Sequence, residues 1–223
     1  MVNLDMSRQY MIYDPTKSNM DITIIGVGST GSFLALTLAK MGCPKIKVID
    51  YDIVENHNIS NQFFRFKDIG KPKVDALKEI IEEFTGNKII TENIKIDENY
   101  DFDLSLNSVV ILCVDSIEAR KLIFEKIKDF PIRLIDTRFG GEAYSIHNAN
   151  LGDDEDIEKF AKSLEVEVMD TTCGQKGIIY TILSLAAEVS NLIKRIDKDE
   201  SRISILRRNL ASYMFIGGRS NGK

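Results

Sequence analysis

Three glycines and an aspartate have the types and spacing of a phosphate-binding site. Gly26, Gly28 and Gly31 follow a short apolar run and precede a helical pattern, and Asp50 ends the next apolar run. The first glycine permits a sharp turn, the second leaves room for a phosphate, and the third lets a helix pack close to a strand. Asp50 follows at about the 20-residue spacing at which a carboxylate binds ribose hydroxyls. The pattern predicts a nucleotide site and fits ATP and a dinucleotide equally well.

The segment after Asp50 is rich in amides and has no regular periodicity up to residue 65. It follows the second strand, and ligands bind at the carboxyl edge of a doubly wound sheet. The helix after it carries Lys71 and Lys73 at its start, where a helix dipole favours acidic residues. A bound polyphosphate and simple solvation both account for these lysines.

A third apolar run, residues 108–114, predicts a buried parallel strand that ends in Asp115. A carboxylate at the end of a central strand can hold a metal ion or steer a substrate. A role as a helix cap, by Asp115 or by Ser116, explains the same position.

The elements that must position these residues follow the order β-α-β-loop-α-β-β-α-β-β-α-α-β. This order predicts an α/β fold with a Rossmann-like, doubly wound, mostly parallel sheet and an antiparallel extension. We expect one domain over residues 1–223, with an N-terminal arm at 1–20, a nucleotide-binding half at 21–136 and a C-terminal half at 137–223.

Five segments have more specific expectations. From pattern alone, the arm lies on the surface. Residues 88–96 are expected to form a strand and residues 137–141 a loop. Residues 176–195 form a long apolar helix that serves the core or a dimer, and residues 213–216 form an edge strand.

The composition limits the class of protein. The chain has 223 residues, is 43% hydrophobic and carries a net charge of −5, which suits a single large domain and gives no indication of nucleic-acid binding. No apolar run approaches the ~18 residues of a membrane span, and no signal peptide is seen at the N-terminus. Cys43, Cys113 and Cys173 form no C-x-x-C pair, which argues against a disulfide framework and a four-cysteine zinc site. The expected compartment is the cytoplasm.

Several motifs in fixed order add a family resemblance over about residues 8–195. They are Gly26-x-Gly28-x-x-Gly31, Asp50-x-Asp52-x-Val54, Asn58-x-x-Asn61-Gln62, Gly70-x-x-Lys73 and Cys113-x-Asp115-Ser-x-x-Ala-Arg120. Together they resemble the ThiF/MoeB/HesA superfamily, the adenylating enzymes related to ubiquitin-activating enzymes. The resemblance implies binding of ATP and Mg²⁺ and adenylation of the C-terminal carboxylate of a small ubiquitin-like or sulfur-carrier-like protein or peptide, with release of pyrophosphate.

The resemblance also assigns residues. Those expected at the nucleotide are Gly26, Gly28, Gly31, Asp50, Asp52, Asn58, Asn61, Arg65 and Lys73. Asp50 takes the ribose, Asn58 and Lys73 contact phosphates, and Asp115 works with the magnesium ion. Arg8 resembles the family arginine that reaches the ATP site of the partner protomer in a homodimer.

Departures from the family pattern give further expectations. Asn61 stands where relatives usually have an arginine, so either Arg65 substitutes for it or activity is weakened or lost. The paired zinc cysteines are absent, so no structural zinc is expected, and the absence of a separate catalytic-cysteine or ubiquitin-fold domain indicates a minimal member. Cys173 lies where some relatives carry a cysteine that takes part in thioester, persulfide or acyl-disulfide chemistry, and a packed loop cysteine is the alternative.

Two other functions remain open at this point. An NAD(P)-dependent oxidoreductase explains Gly26 to Asp50 equally well, although not the asparagine-rich loop or Lys73. A non-catalytic nucleotide-binding scaffold of the same fold explains Asn61. Neither a membrane nor a nucleic acid is expected as a partner.

Overall fold

An eight-stranded mixed sheet forms the centre of the computed structural model, which describes residues 4–165, 177–200 and 203–219. The strands are β1 Asp21–Ile25, β2 Lys45–Ile49, β3 Ile90–Glu92, β4 Ser108–Leu112, β5 Arg133–Gly140, β6 Ala143–Asn150, β7 Ile203–Asn209 and β8 Met214–Arg219. The α-helices within the described ranges are α1 Ser29–Met41, α2 Lys73–Thr85, α3 Ile117–Ile127, α4 Asp154–Glu165 and α5 Ile179–Asp197. Short 3-10 turns lie at Pro15–Lys17, Asn56–Asn58 and Phe66–Asp68.

The sheet has the order β3-β2-β1-β4-β5-β6-β7-β8. The strands from β3 to β5 in this order are parallel, and β6, β7 and β8 continue the sheet antiparallel. The chain moves to one side of β1 through α1 and β2, and returns on the other side with β4. The order of strands therefore reverses between β1 and β4, which is where ligands bind in such sheets. The predicted fold class is confirmed.

Apolar side chains cover both faces of the sheet from β2 to β6, whereas Phe215 and Ile216 of β8 are exposed. On one face α1, α2 and α5 pack over the strands. On the other face lie α3, α4 and the irregular segment between β3 and β4, which contributes Ile96, Tyr100 and Phe102. The central strand β4 is buried along its whole length, as its uninterrupted apolar sequence predicts.

The long apolar helix predicted near the C-terminus is α5. Its buried residues, among them Ile182, Leu185 and Val189, face α1 and the sheet, whereas Leu183 is exposed. No helix in the described ranges is long and apolar enough to cross a membrane. A role of α5 in a dimer stays a prediction.

The prediction of a loop at residues 137–141 is wrong, because β5 continues to Gly140. Gly140 pairs with Ala143, so Gly141 and Glu142 form a two-residue turn, and Gly141 has φ +57°. Two adjacent glycines in this sequence mark a tight hairpin rather than a long loop. The strand expected at 88–96 shortens to β3, and the expected edge strand at 213–216 is part of the β7–β8 hairpin.

The N-terminal arm lies on the surface, as predicted, and a few of its residues anchor it to the body of the protein. Met6 and Tyr13 are buried, and the Gln9 Nε2 donates to the Met41 carbonyl at 2.8 Å. Gly42 (φ +82°) has no room for a Cβ, because Met6 and a proline of the arm lie against it. The arm therefore packs against the carboxyl end of α1.

Candidate nucleotide-binding site

The glycine-rich turn is packed on the end of β4. Gly26 has φ +89°, and a Cβ there would lie 2.8 Å from the carbonyl oxygen of Cys113. A Cβ on Gly31 would lie 2.0 Å from the Gly26 carbonyl oxygen. Neither position accepts a side chain, so both glycines fix the path of the turn. Gly28 differs, because the nearest atom to a Cβ there is the Gln62 Nε2 at 3.8 Å. The space in front of Gly28 is a cradle that a ligand can enter.

The amino end of α1 opens onto the same cradle. Gly28 is its N-cap, and in the described structure no side chain caps this end. The first N–H groups of a helix have no partner within the helix, and the dipole adds partial positive charge, so this end favours an anion.

Three buried polar oxygens near this end make no hydrogen bond within the described residues. They are the Oγ1 of Thr30, the Oδ1 of Asn61 and the Oε1 of Gln62. The Phe63 N–H donates to the Ser32 Oγ at 2.9 Å, which holds the loop of Asn61 and Gln62 against the first turn of α1. A buried polar group without a partner costs about 1–3 kcal/mol. A polar ligand in the cradle would offset that cost, so the residues fit a nucleotide.

Asp50 is bound to the glycine-rich turn itself. One carboxylate oxygen accepts from the Val27 N–H at 2.7 Å and the other from the Asp52 N–H at 2.8 Å. Asp50 is 9% exposed. A carboxylate offers about four lone-pair sites, so two remain for ribose hydroxyls. The predicted contact with the ribose is compatible with this geometry and stays a prediction.

Lys73 begins α2 and reaches back to the loop. Its Nζ lies 2.7 Å from the Asp52 Oδ2, and its backbone N–H donates to the Asp52 carbonyl at 2.9 Å. Lys73 is 6% exposed. The structure thus brings together two of the residues predicted at the nucleotide.

Asn58 organises the loop between β2 and α2. It is buried, and its Oδ1 accepts from the Glu55 N–H at 2.8 Å in a reciprocal capping arrangement. The Val54 N–H donates to the Lys71 carbonyl, and the Gly70 N–H donates to the Val54 carbonyl, both at 2.8 Å. The ends of the loop are therefore closed on each other. The predicted phosphate contact of Asn58 is not tested by these bonds.

Arg65 lies in a cluster of carboxylates. Its Nε donates to the Asp68 Oδ2 at 2.8 Å, and its other nitrogens contact Glu79 and Glu83 of α2. The Asp68 carboxylate, which is fully buried, raises the pKa of the guanidinium. Lys71 lies 2.6 Å from Glu79. Arg65 and Lys71 are therefore paired with carboxylates of the protein and are not simply solvated.

Asp115 is exposed at the junction of β4 and α3. Ser116, not Asp115, caps α3, since its Oγ accepts from the Ala119 N–H at 3.1 Å. In the described ranges no group of three or more His, Cys, Asp and Glu side chains is placed to hold a metal ion. Mg²⁺ is commonly held by one or two carboxylates together with substrate phosphates. Asp115 therefore fits a magnesium ion that arrives with a nucleotide.

A buried charged cluster between α3 and β5 was not anticipated from the sequence. Asp136 is fully buried and joins the Arg120 Nε at 2.8 Å to the Arg138 Nε at 2.7 Å. Arg120 also donates to the Thr137 carbonyl, which ties α3 to β5. Burial and, next, the charge of Arg138 lower the pKa of His147 to about 4. One feature of the sequence could have indicated this cluster. Asp136 follows an apolar strand, and Arg138 comes two positions later, which places both side chains on the same face of the strand.

The remaining predicted residues lie elsewhere. Arg8 is exposed on the arm, next to Gln9, at the carboxyl end of α1. A helix of this length spans about 20 Å, so Arg8 and the glycine-rich turn of the same chain lie at opposite ends of α1. Cys173 lies outside the described residues. Cys43 is buried, and burial raises the pKa of its thiol to about 11.

Strand order, the glycine-rich turn at the reversal point and the polar loop beside it define a Rossmann-like α/β protein. Comparison with known families makes this more specific. Residues 10–214 match the ThiF family, so the chain belongs to the ThiF family.

The relatives found by sequence are longer proteins. The catalytic subunit of the NEDD8-activating enzyme E1 of Arabidopsis thaliana is 38% identical over 113 residues, which is 49% of this chain and 25% of that protein. Ubiquitin-like modifier-activating enzyme 5 of Aedes aegypti is 29% identical over 140 residues, 56% of this chain and 35% of that protein. The aligned region therefore spans about a quarter to a third of these relatives.

The fold is shared with E. coli MccB. That protein has been solved with ATP, and with AMPCPP and MccA; in both structures the TM-score is 0.72 at 16% identity, covering 92% of this chain and 65% of MccB. At this identity the likeness shows the fold.

Proposed function

We propose that this chain is an ATP-dependent adenylyltransferase. Its substrate is a carboxylate, the C-terminus of a small ubiquitin-like or sulfur-carrier-like protein or of a peptide. The observation that carries the proposal is the open cradle at Gly28, set against the uncapped end of α1 and bordered by the side-chain amide of Gln62. The names of the relatives, which activate ubiquitin-like modifiers, and of MccB, solved with ATP and with MccA, support the same class of reaction.

In this reaction the carboxylate attacks the α-phosphorus of ATP, an acyl-adenylate forms and pyrophosphate leaves. Most of the work for the protein is positioning and neutralisation of charge. The N–H groups at the start of α1 receive a phosphate, Asp50 orients the ribose, and Lys73 supplies a cation at the start of α2. Mg²⁺ bound at Asp115 would neutralise charge on the phosphates.

Arg8 completes the site from a second protomer of a homodimer. The support for this is its distance along α1 from the turn of its own chain together with its exposure. Magnesium, the dimer and a cytoplasmic location are parts of the proposal.

The test combines binding with exchange. Thermal shifts with ATP·Mg²⁺, AMP and NADH are followed by ATP–pyrophosphate exchange with carrier proteins ending in Gly-Gly and with MccA. We expect ATP and AMP, but not NADH, to raise the melting temperature, because a ligand of the folded state stabilises it by mass action. Asp115→Ala is expected to lose exchange and keep its melting temperature, and Asp129→Ala, exposed at the far end of α3, serves as the matched control.

Two results would contradict the proposal. Stabilisation by NADH alone would indicate an oxidoreductase, which membership in the ThiF family does not favour. Binding of ATP without exchange with any carrier, and with Asp115→Ala behaving as wild type, would indicate a non-catalytic scaffold.

A further inference from the structure

Gln62 lies in the amide-rich loop, beside the first turn of α1. Its backbone N–H donates to the Asn58 carbonyl at 2.8 Å. The next residue, Phe63, donates its N–H to the Ser32 Oγ at 2.9 Å, and its ring packs against Phe33 of α1 with the ring centroids 5.2 Å apart. The backbone at Gln62 is therefore fixed on both sides, and its position relative to α1 does not depend on a ligand.

The side-chain amide of Gln62 presents its donor end to the cradle at Gly28. The Nε2 is the atom nearest to the position of a Gly28 Cβ, at 3.8 Å. The Oε1 is buried and makes no hydrogen bond within the described residues. The Nε2 has no acceptor among those residues either. A side-chain amide carries two N–H donors, so this end of Gln62 can bind an acceptor that enters the cradle.

The cradle adjoins the place proposed for the ribose. The Asp50 carboxylate accepts at 2.7 Å from the N–H of Val27, the residue before Gly28. The α-phosphate is the phosphate bonded to the ribose, so a ribose at Asp50 brings that phosphate to Gly28. The N–H groups at the start of α1 face the same space, and no side chain of the described structure caps them.

The donors that face Gly28 are uncharged, whereas two cations of the neighbouring loop have carboxylate partners. The Lys73 Nζ lies 2.7 Å from Asp52, and the Arg65 Nε lies 2.8 Å from Asp68. An unprotonated phosphate oxygen only accepts hydrogen bonds, so it matches the N–H end of an amide. Neutral donors that are already in place stabilise negative charge at a reacting centre without transferring a proton.

We propose that Gln62 is a catalytic residue whose Nε2 donates to a non-bridging oxygen of the α-phosphate of ATP, together with the N–H groups at the start of α1. This rests on the proposed function. As the carboxylate oxygen bonds to the α-phosphorus, the bond from that phosphorus to the pyrophosphate oxygen breaks, and pyrophosphate leaves with the electron pair. Gln62 keeps its protons and stabilises the negative charge on the oxygens of the phosphorus under attack.

Calorimetric titrations with AMP and with adenosine test this contact, because adenosine lacks the phosphate. Gln62→Met removes the amide and keeps a side chain of similar length, and Gln62→Glu puts a carboxylate of the same shape in its place. We expect AMP to bind about tenfold more weakly to Gln62→Met, which loses a hydrogen bond to a charged group, and about 100-fold more weakly to Gln62→Glu, which adds repulsion. The affinity for adenosine should stay within about twofold of wild type in both variants.

Asn56→Asp is the matched control for the change of charge, because Asn56 is exposed in the same loop. It should leave both affinities nearly unchanged. Thermal unfolding shows whether each variant is folded, and Gln62→Glu, which keeps the shape of the side chain, decides the question if Gln62→Met is unstable. At saturating ATP, the rate of pyrophosphate exchange should also fall in both Gln62 variants.

An equal loss of affinity for AMP and adenosine would indicate a structural role of Gln62 and overturn the inference. Unchanged affinity for AMP in both variants would overturn it as well. With pyrophosphate exchange retained, either result would leave the proposed function standing. If wild type bound neither ATP nor AMP, the inference and the proposed function would both fail.

Discussion

The Nζ of Lys73 lies 2.7 Å from the Asp52 carboxylate, yet the two side chains differ in exposure, 7% for the lysine and 47% for the aspartate. The first prediction follows from this asymmetry. Lys73→Met keeps the buried stem and leaves Asp52 to water, so the free energy of unfolding should fall by less than about 1 kcal/mol. Asp52→Asn leaves a buried ammonium without its countercharge and should cost about 3 kcal/mol.

Urea unfolding measures both changes, and a thermal shift with ATP·Mg²⁺ adds a functional readout. Lys73→Met should lose most of the stabilisation by ATP. Equal costs for the two substitutions would show that the lysine is not held by Asp52.

The glycine-rich turn gives a second prediction that separates folding from binding. Gly28 (φ −72°, ψ −134°) is the N-cap of α1, and a Cβ there has only the Gln62 side chain nearby, so Gly28→Ala should cost about 1 kcal/mol, as is usual for alanine at an N-cap. The added methyl group fills the cradle, and ATP binding should be lost. Gly31→Ala, its control in the same turn, places a Cβ 2.0 Å from a carbonyl oxygen and should prevent normal folding. Calorimetry measures ATP binding and circular dichroism measures folding in both variants. If Gly28→Ala kept its affinity for ATP, the phosphate would have to bind elsewhere.

A third prediction concerns the buried pair of Arg120 and Asp136. Arg120→Met removes one partner of a fully buried carboxylate, although Arg138 remains, and should cost about 3 kcal/mol of unfolding free energy. Lys128→Met, near the end of the same helix in an exposed pair with Glu125, should leave the free energy of unfolding nearly unchanged. Chemical denaturation gives both values. If Arg120→Met cost no more than its control, the buried cluster would contribute little to the stability of the fold.

The fourth prediction uses pH. The pKa of His147 falls from 6.5 to about 4 in the folded protein, mainly through burial. His147 therefore binds a proton below about pH 6.5 in the unfolded chain but only below about pH 4 in the folded chain. The free energy of unfolding consequently falls as the pH is lowered from 6.5 to 4. At pH 5 the loss is about 2 kcal/mol.

His147→Gln should flatten the pH dependence of unfolding between pH 7 and pH 5 by that amount. His57→Gln is the control, because His57 is 62% exposed. Identical pH profiles for wild type and His147→Gln would rule out this source of acid sensitivity.

The parts of the site that follow from local pattern could be predicted from the sequence. The turn at Gly26, Gly28 and Gly31, the buried strand β4 before Asp115 and the helix α5 were all predicted from short spacings or from periodicity. The reversal of strand order between β1 and β4 follows from the βαβ pattern, because crossover rules leave few arrangements.

The ion pairs could not be predicted from local sequence pattern. Arg65 meets Glu79 and Glu83 on another element, and Lys73 meets Asp52 across the loop, so each partner is fixed only by the tertiary structure. Spacing of charges therefore left Arg65 and Lys71 open to several roles. The extension of β5 was missed for a different reason: its last residues mix polar and aromatic side chains, and a hairpin partner is what makes them a strand.

The packing of Gly26 on the end of β4 has a consequence for the order of folding. The β5–β6 hairpin is closed by a two-residue turn, and such local pairs form within microseconds. Gly26 and Cys113 are separated by about 90 residues, so their contact requires closure of a long loop whose entropic cost comes before any gain. We therefore expect the antiparallel hairpin to form early and the cradle for the nucleotide to be among the last parts of the molecule to assemble.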